Sequence, residues 1–495
     1  MQNVLTWMIF APVAGAAVVL LLPRGRDELV RWISLLATAV PLALAFWVYA
    51  NFDRTSPGLQ FVEHYAWIPA FNIEYFLGLD GVSAPMFLLT TLIAFLALVA
   101  SWGIKEGVKG YFCLYLLLEA GMLGVFAALD FFLFFIFWEV SLLPMYFLIG
   151  IWGGPEREYA AIKFFLYTLF GSVLILLAML ALYFANEPHT FDMTKLIAAN
   201  KQYGIAFQLL VFIALYIGFA IKVPVFPFHT WLPDAHVEAP TPISVILAGI
   251  LLKMGTYGML RVSWPMLPEA LKVYAYPLAI FALINIVYGA LVAMAQRDFK
   301  KLVAYSSISH MGFVLLGMCA IGPQGLSQAG VNGAILQMFN HGTVTAMLFL
   351  LVGVLYDRAH HRVIEDFGGL GVQMPVYAGV ATVAFFAALG LPGLSSFISE
   401  ALVLIGAFPA YRTLTIIAAV GIIITAGYWL WTLQRVFLGP LNPKYATLPE
   451  INGRELVTLV PLGALVLFLG VYPMPVLDLI RASADQLIAL VGPLP

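Results

Sequence analysis

Apolar residues in this chain come in long unbroken runs, with polar positions confined mostly to the gaps between them. A helix rises 1.5 Å per residue, so about 18 or more apolar residues are needed to cross a hydrocarbon layer of roughly 30 Å. Runs of that kind predict about fourteen helices, near 3–22, 30–50, 83–103, 112–128, 131–151, 161–185, 206–230, 241–262, 273–295, 302–321, 330–356, 374–406, 410–434 and 456–479. The seventh and twelfth are unusually long and are interrupted. The linkers read as short, with no Ser/Gly-rich or charged low-complexity stretch. The pattern predicts an all-α integral membrane protein: one polytopic domain over 1–495 and no soluble domain.

Composition agrees with that reading. Apolar residues make up 62% of the chain and charged residues 10%, against about 45–50% and about 25% in a soluble domain. Too few charges exist to cover even one soluble core, so lipid is the expected surrounding. A formal net charge of −2 argues against nucleic acid as a partner. The loops after odd-numbered helices hold 15 of the 24 basic residues and the opposite loops hold 7. The positive-inside rule therefore places the first loop in the cytoplasm and both termini on the periplasmic side. The opening MQNVLTWMIFAPVAGAAVVLLLPRGR lacks a basic leader and reads as a first span rather than a cleavable signal. Cys113 and Cys319 lie in apolar runs and read as packed thiols.

The two interruptions carry the first chemical signal. In FAIKVPVFPFHTWLPDAHVEAP, Lys222 is followed by Pro224 and Pro227 inside a membrane-grade run. Proline removes a backbone donor and clashes with the preceding turn. The freed carbonyls must then be satisfied by protein or by water in a cavity. A hydrated break beside a titratable amine is half of a proton path. The twelfth run carries ALGLPGLSSF, broken at Pro392, at a comparable point of its half. Paired broken helices point to a transport site near the midplane and to an internal repeat, with halves over 112–262 and 273–434.

Two lysines, Lys222 and Lys253, fall within spans, as do Glu119, Glu139, His310, His341 and Glu400. A charge at the bilayer centre costs roughly 2.5–3.5 kcal/mol, so such groups pair, line water, or both. Glu139 reads as a partner for an intramembrane lysine, either as a static ion pair or as a pair that opens. Burial lowers a lysine's proton affinity and a nearby carboxylate raises it, so a movable Glu139–Lys222 pair is a proton switch. Lys253 lies too far from either helix end to reach water easily. It is either a relay or a static counter-ion for Glu119. His310 and His341 titrate nearest neutrality; each is a relay or a hydrogen-bonded core histidine. Glu400, after the twelfth break, is a path terminus or an outward-facing carboxylate. His229 either connects Lys222 to the cytoplasm or is structural. No phosphate loop, cysteine cluster, haem motif or HExxH is present, so neither a metal nor a redox cofactor is expected on this chain.

Together, HTWLPDAHVEAPTPISVILAGILLKMGTYGMLR, FWEVSLLPMYFLIGIWGGPEREYAAIKFFLYTLFGS, FKKLVAYSSISHMGFVLLG and NHGTVTAMLFLLVGVLYDR closely resemble the antiporter-like subunits of respiratory complex I, over roughly 80–440. Kinship with subunits of multi-chain sodium/proton antiporters and membrane-bound hydrogenases is also implied, and either is the alternative reading. A purely structural scaffold with static ion pairs is a third. The resemblance implies two inverted five-helix repeats within fourteen helices, with helices 7 and 12 discontinuous. It implies Glu139 and Lys222 as a proton-path pair, Lys253 as the central lysine, His310 as a connector and Glu400 as the exit. It implies FMN and iron–sulfur clusters on partner chains, quinone bound elsewhere, and neighbouring L and N subunits in a bacterial inner membrane. Glu400, where L- and N-type relatives typically carry lysine, is expected to separate this chain from those two branches, and a stop soon after the fourteenth span, without a long lateral helix, from the L-type. A direct match of AIKVP to ALGLP sets Lys222 against Gly390 rather than Glu400, so the two titratable groups need not be symmetry mates.

Overall fold

A computed structural model describes residues 2–493. Twelve of its helices are long and apolar enough to cross a membrane. The helix Phe299–Met318 and the broken pair Pro375–Ala388 and Ser395–Ala407 pack within the same bundle. Helix bounds follow the apolar runs closely. The seventh run forms Ile205–Lys222, then a non-helical stretch, then Trp231–Glu238.

Burial divides the helices into two classes. Asp27–Asn51 and Arg157–Phe184 leave large apolar side chains such as Leu36, Phe46, Leu166 and Phe170 exposed, as lipid-facing helices do. In contrast, the apolar windows of Thr241–Met266 and Gln328–Ala359 are entirely buried. These two central helices carry Lys253 and His341, which therefore have no route to water along a helix surface. They cross with backbones in contact: a Cβ on Gly342 would lie 2.9 Å from the Gly249 carbonyl oxygen. Small residues at a crossing allow that approach, and here it sets Lys253 and His341 side by side.

Three features depart from the sequence reading. The connection between the second and third helices is not short. It holds an antiparallel hairpin, Gln60–Ile68 paired with Ile73–Leu79, so the chain is not purely helical. Its Glu63 is buried and accepts from the Leu5 amide at 2.7 Å and from the Thr6 amide, satisfying donors that the first helix leaves free at its N-terminus. The fourteenth apolar run predicts a span over 456–479, but the helix stops at Val471. Pro473 starts a separate helix, Met474–Val491, with one apolar face. Ser483 of that helix accepts from the Gly81 amide at 2.8 Å. Finally, Thr241–Met266 is not uniformly α-helical, having π turns at Leu247–Leu251 and Met259–Ser263.

The second π turn presents Arg261 to Asp80, ahead of the third helix, and the two form a buried ion pair at 2.5 Å. Burial pushes the Asp80 carboxyl up, but the Arg261 charge and hydrogen bond, with the Ser83 and Val82 amides, outweigh it and hold the carboxyl below its usual 3.8. A depressed carboxyl contributes stability above its unfolded value and loses it as pH falls through the folded one. Arg261→Met should therefore lower stability by about 3–5 kcal/mol, because it strands a buried carboxylate. The cost should be flat at neutral pH, shrink only in strong acid, and be largely recovered in Asp80→Asn/Arg261→Met. Thermal unfolding in detergent across pH measures all three.

Candidate functional site

The first break is closed by protein. The helix Ile205–Lys222 ends on Lys222, and the Val225 amide reaches back to the Ala220 carbonyl at 2.8 Å. Asn285, fully buried on the helix Pro268–Met294, then stands in for two missing backbone partners. Its Nδ2 donates to Pro224 O at 3.1 Å and its Oδ1 accepts from the Phe226 amide at 2.8 Å. The Trp231 indole donates to Ile221 O at 2.8 Å. His229 Nε2 lies 3.2 Å from the Tyr288 hydroxyl.

Lys222 is buried, and its ammonium has no hydrogen-bond partner. Its position as the last residue of a helix places the charge at the negative end of the helix dipole. Glu139 and Lys222 do not form a closed ion pair; Lys222 Nζ instead lies 4.7 Å from the centroid of the Trp138 ring, one residue before Glu139. The indole is held by a hydrogen bond to Ser172 at 3.1 Å. A cation over a desolvated aromatic face gains about 2 kcal/mol. One carboxylate oxygen of Glu139 is buried and unpartnered, so both members of the expected pair are present and separated.

Lys253 has a different environment. The π turn widens the helix just ahead of it, and Lys253 Nζ donates back to Ala248 O at 2.5 Å. The same nitrogen lies 2.6 Å from His341 Nδ1. Glu119 is fully buried with both oxygens unpartnered, so the structure does not pair it with Lys253. The rings of His341 and His310 stand 5.7 Å apart between centroids, and both line a narrow gap with Gln337, Thr345 and Ser396. His310 Nδ1 lies 3.0 Å from Glu400 Oε1. Gln337 donates to the same oxygen at 3.1 Å, accepts from Ser399 at 2.5 Å, and Ser399 in turn accepts from Asn340. Lys253, His341, His310 and Glu400 thus form one buried file of ionisable groups.

The second break turns on two glycines in the left-handed region, Gly390 (φ +79) and Gly393 (φ +93), flanking Pro392. Asn340 donates to Ser395 O at 2.8 Å at the start of the following half-helix. A Cβ on Gly390 would lie 3.1 Å from Glu400 Oε2. The residue matched to Lys222 is thus a glycine, and the Glu400 carboxylate from the other half-helix fills the space beside it. The structure brings together Lys253, His310, His341 and Glu400. It sets Lys222, Glu139 and His229 around the first break and leaves Glu119 apart.

Several residues of the site were not picked out from sequence. Asn285, in FALINIVYG, is a lone amide in an apolar run and could have been marked as a buried partner on that ground. Gln337 and Asn340, in QMFNHG, gave the same signal. Trp138 gave none, since an aromatic in FFLFFIFWEV reads as lipid-facing or core.

A family model for the NADH:quinone oxidoreductase/Mrp antiporter transmembrane region matches residues 128–425, and one for the amino terminus of NADH-ubiquinone oxidoreductase chain 4 matches 33–125. The chain is 44% identical to NADH-quinone oxidoreductase subunit M of Rhodobacter capsulatus, over 99% of this chain and 97% of that one. It is also 44% identical to an NAD(P)H-quinone oxidoreductase chain 4 of Synechococcus elongatus, over 95% of this chain and 88% of the relative. A chain in the structure of respiratory complex I from Thermus thermophilus superposes with a TM-score of 0.89 at 31% identity, covering 99% of this chain and 100% of that chain. A chain of the Mrp complex from a Dietzia species shares the fold, with a TM-score of 0.83 at 24% identity, over 99% of this chain and 55% of that one.

The geometry of the first break gives a direct expectation. Asn285→Ala strands one backbone donor and one acceptor in a buried site, which should cost about 2–4 kcal/mol. A fall in the thermal midpoint of the detergent-solubilised protein measures it; an unchanged midpoint would mean the break does not lean on Asn285.

Proposed function

Since the chain belongs to the family of membrane subunits shared by NADH:quinone oxidoreductases and Mrp antiporters, we propose that it is the M-type antiporter-like subunit of a bacterial respiratory complex I and moves protons across the membrane. The observation that carries this reading is the buried file Lys253–His341–His310–Glu400, held by contacts of 2.6 Å at one end and 3.0 Å at the other. A scaffold has no use for four ionisable groups in a row where each is costly to bury.

The proposed cycle uses this chain's residues alone. Glu139 and Lys222 act as a switch at the first break. When they close, the carboxylate favours the charged ammonium; when they part, that support weakens. The Trp138 face gives the separated ammonium a resting place. Lys253 passes its proton to His341 Nδ1, which faces it directly. His341 and His310 share the gap lined by Gln337 and Thr345, and His310 hands the proton to Glu400 beside the second break. Moving one charge against 100 mV requires about 2.3 kcal/mol, and a swing of two pKa units in a switch supplies about 2.7 kcal/mol. The scales match for one proton.

The rest of the reading concerns the assembly. Fourteen crossings are obtained when Phe299–Met318 and the broken pair are added to the twelve apolar spans, in line with two inverted five-helix repeats over 112–262 and 273–434. The basic-loop face is the cytoplasmic one, with both termini periplasmic in the inner membrane. Neighbouring L- and N-type subunits and lipid cover the apolar flanks. Quinone reduction on partner chains carrying FMN and iron–sulfur clusters drives the switch, with no redox centre here.

Glu139→Ala removes the carboxylate from the switch. It should leave the complex assembled and reduce proton uptake driven by NADH in sealed vesicles by about tenfold or more, since a swing of two pKa units corresponds to about 100-fold in proton occupancy. Uptake equal to the parent's would remove Glu139 from the path.

A further inference from the structure

The buried file is closed at both ends and open in the middle. Lys253 meets His341 at 2.6 Å, and His310 meets Glu400 at 3.0 Å. Between them the two imidazole rings stand 5.7 Å apart, and His341 Nε2 is buried without a hydrogen-bond partner. A proton passes between heavy atoms about 2.6–3.2 Å apart, or through one bridging group. The separation of the histidines is therefore where transfer is permitted or stopped, and what holds each ring decides it.

Each histidine follows, in the chain, a polar side chain tied toward one of the two breaks. Asn340 precedes His341. Its amide donates to Ser395 O at 2.8 Å and to Ser399 Oγ at 3.1 Å, both on the half-helix that carries Glu400. That half-helix is pressed against the same central helix, since a Cβ on Gly333 would lie 2.7 Å from the Val403 amide nitrogen. His341 and Glu400 thus belong to one packed body.

Ser309 precedes His310, and its hydroxyl donates to Ile286 O at 2.8 Å on the helix Pro268–Met294. The residue before Ile286 is Asn285, whose amide clasps Pro224 O and the Phe226 amide across the first break. Close packing reinforces the tie. A Cβ on Gly289 would lie 2.7 Å from the Ser309 amide nitrogen, and one on Gly312 would lie 2.8 Å from Ala282 O. His310 thus belongs to a second body, fastened to the segment that follows Lys222.

The two bodies meet backbone to backbone at Gly317, where a Cβ would lie 2.5 Å from Gly330 O. That point is seven residues past His310, roughly 10 Å along the helix. A small rotation about it changes the distance of His310 from His341 and Glu400 without parting the helices, while close packing resists change inside either body. Lys253 stays with His341 in such a motion, because Gly249 and Gly342 hold their helices in contact.

We propose that Asn285 and Ser309 are positioning residues: through them the first break sets the distance between His310 and His341, and so gates proton transfer in the middle of the file. Closing the Glu139–Lys222 pair pulls on the end of the helix Ile205–Lys222, and Asn285 passes that displacement to Ser309. The inference rests on the proton-transport reading above and gives the switch a mechanical hold on a later step.

The test uses the assembled complex in inverted membrane vesicles, with proton uptake measured per NADH oxidised. Ser309→Ala cuts the tie and leaves every ionisable group of the file in place. It should lower the ratio severalfold while NADH still reduces quinone. A hydroxyl that serves only stability would instead move the thermal midpoint and leave the ratio alone. Asn285→Ala should also lower the ratio in the parent, and should lower it no further in the Ser309→Ala background, because both act through one contact. His310→Leu, run alongside, should abolish uptake. A parental ratio in Ser309→Ala with loss in His310→Leu would overturn the positioning role and leave the transport reading standing. Losses from Asn285→Ala and Ser309→Ala that multiply in the double variant would do the same. A parental ratio in His310→Leu would overturn the transport reading itself. If Asn285→Ala fails to assemble, Ser309→Ala alone decides.

Discussion

Hydrocarbon offers no hydrogen-bond partner, so every backbone group and every charge within this bundle must be answered by the protein itself or by enclosed water. The rest of the structure follows from how that is done. Where the chain breaks after Lys222, the Asn285 amide replaces two backbone partners and the Trp231 indole a third. Where it breaks after Ala388, Asn340 supports the next half-helix. Glu63 of the hairpin closes the exposed start of the first helix. The buried groups left without partners among the described residues include the Lys222 ammonium and both oxygens of the Glu119 carboxylate. The first of these belongs to the proposed switch.

The centre of the molecule is built by close approach rather than by charge. Gly249 and Gly342 bring two helices with wholly buried apolar windows into backbone contact, and the Ala248 carbonyl, in the π turn before Lys253, accepts from its ammonium. Those two backbone features fix the 2.6 Å contact between Lys253 and His341. At the second break, Gly390 leaves room for the Glu400 carboxylate. Lys222 ends the half-helix before its break, whereas Glu400 lies in the body of the half-helix after the second one. The two groups therefore answer to different surroundings: Lys222 faces an indole, whereas Glu400 is held by His310 and Gln337.

The long helices were legible because a membrane span leaves a length signal that nothing else in the sequence imitates. The hairpin at 60–79 was not, since its alternation is short and it sits in a connection that reads as a loop. The end of the fourteenth span was blurred because the apolar face of Met474–Val491 continues the hydropathy of the span before Pro473. Among the ionisable groups of the candidate site, Lys222, Lys253, Glu139 and Glu400 were legible one at a time, because an ionisable residue in an apolar run is its own signal. Their partners were not. That His341 faces Lys253, that Trp138 rather than Glu139 lies under Lys222, and that Glu119 stands alone all depend on helix crossings that spacing along one chain does not encode.

The central claim is that protons cross the buried middle of the bundle by way of His341. The direct measurement is the number of protons taken up per NADH oxidised by the purified complex in liposomes, with His341→Leu against the parent. The account requires the ratio to fall while NADH still reduces quinone, because the leucine removes the imidazole that stands between Lys253 and His310. An unchanged ratio would mean that the file of ionisable groups is structural, and that the path lies elsewhere in the membrane arm.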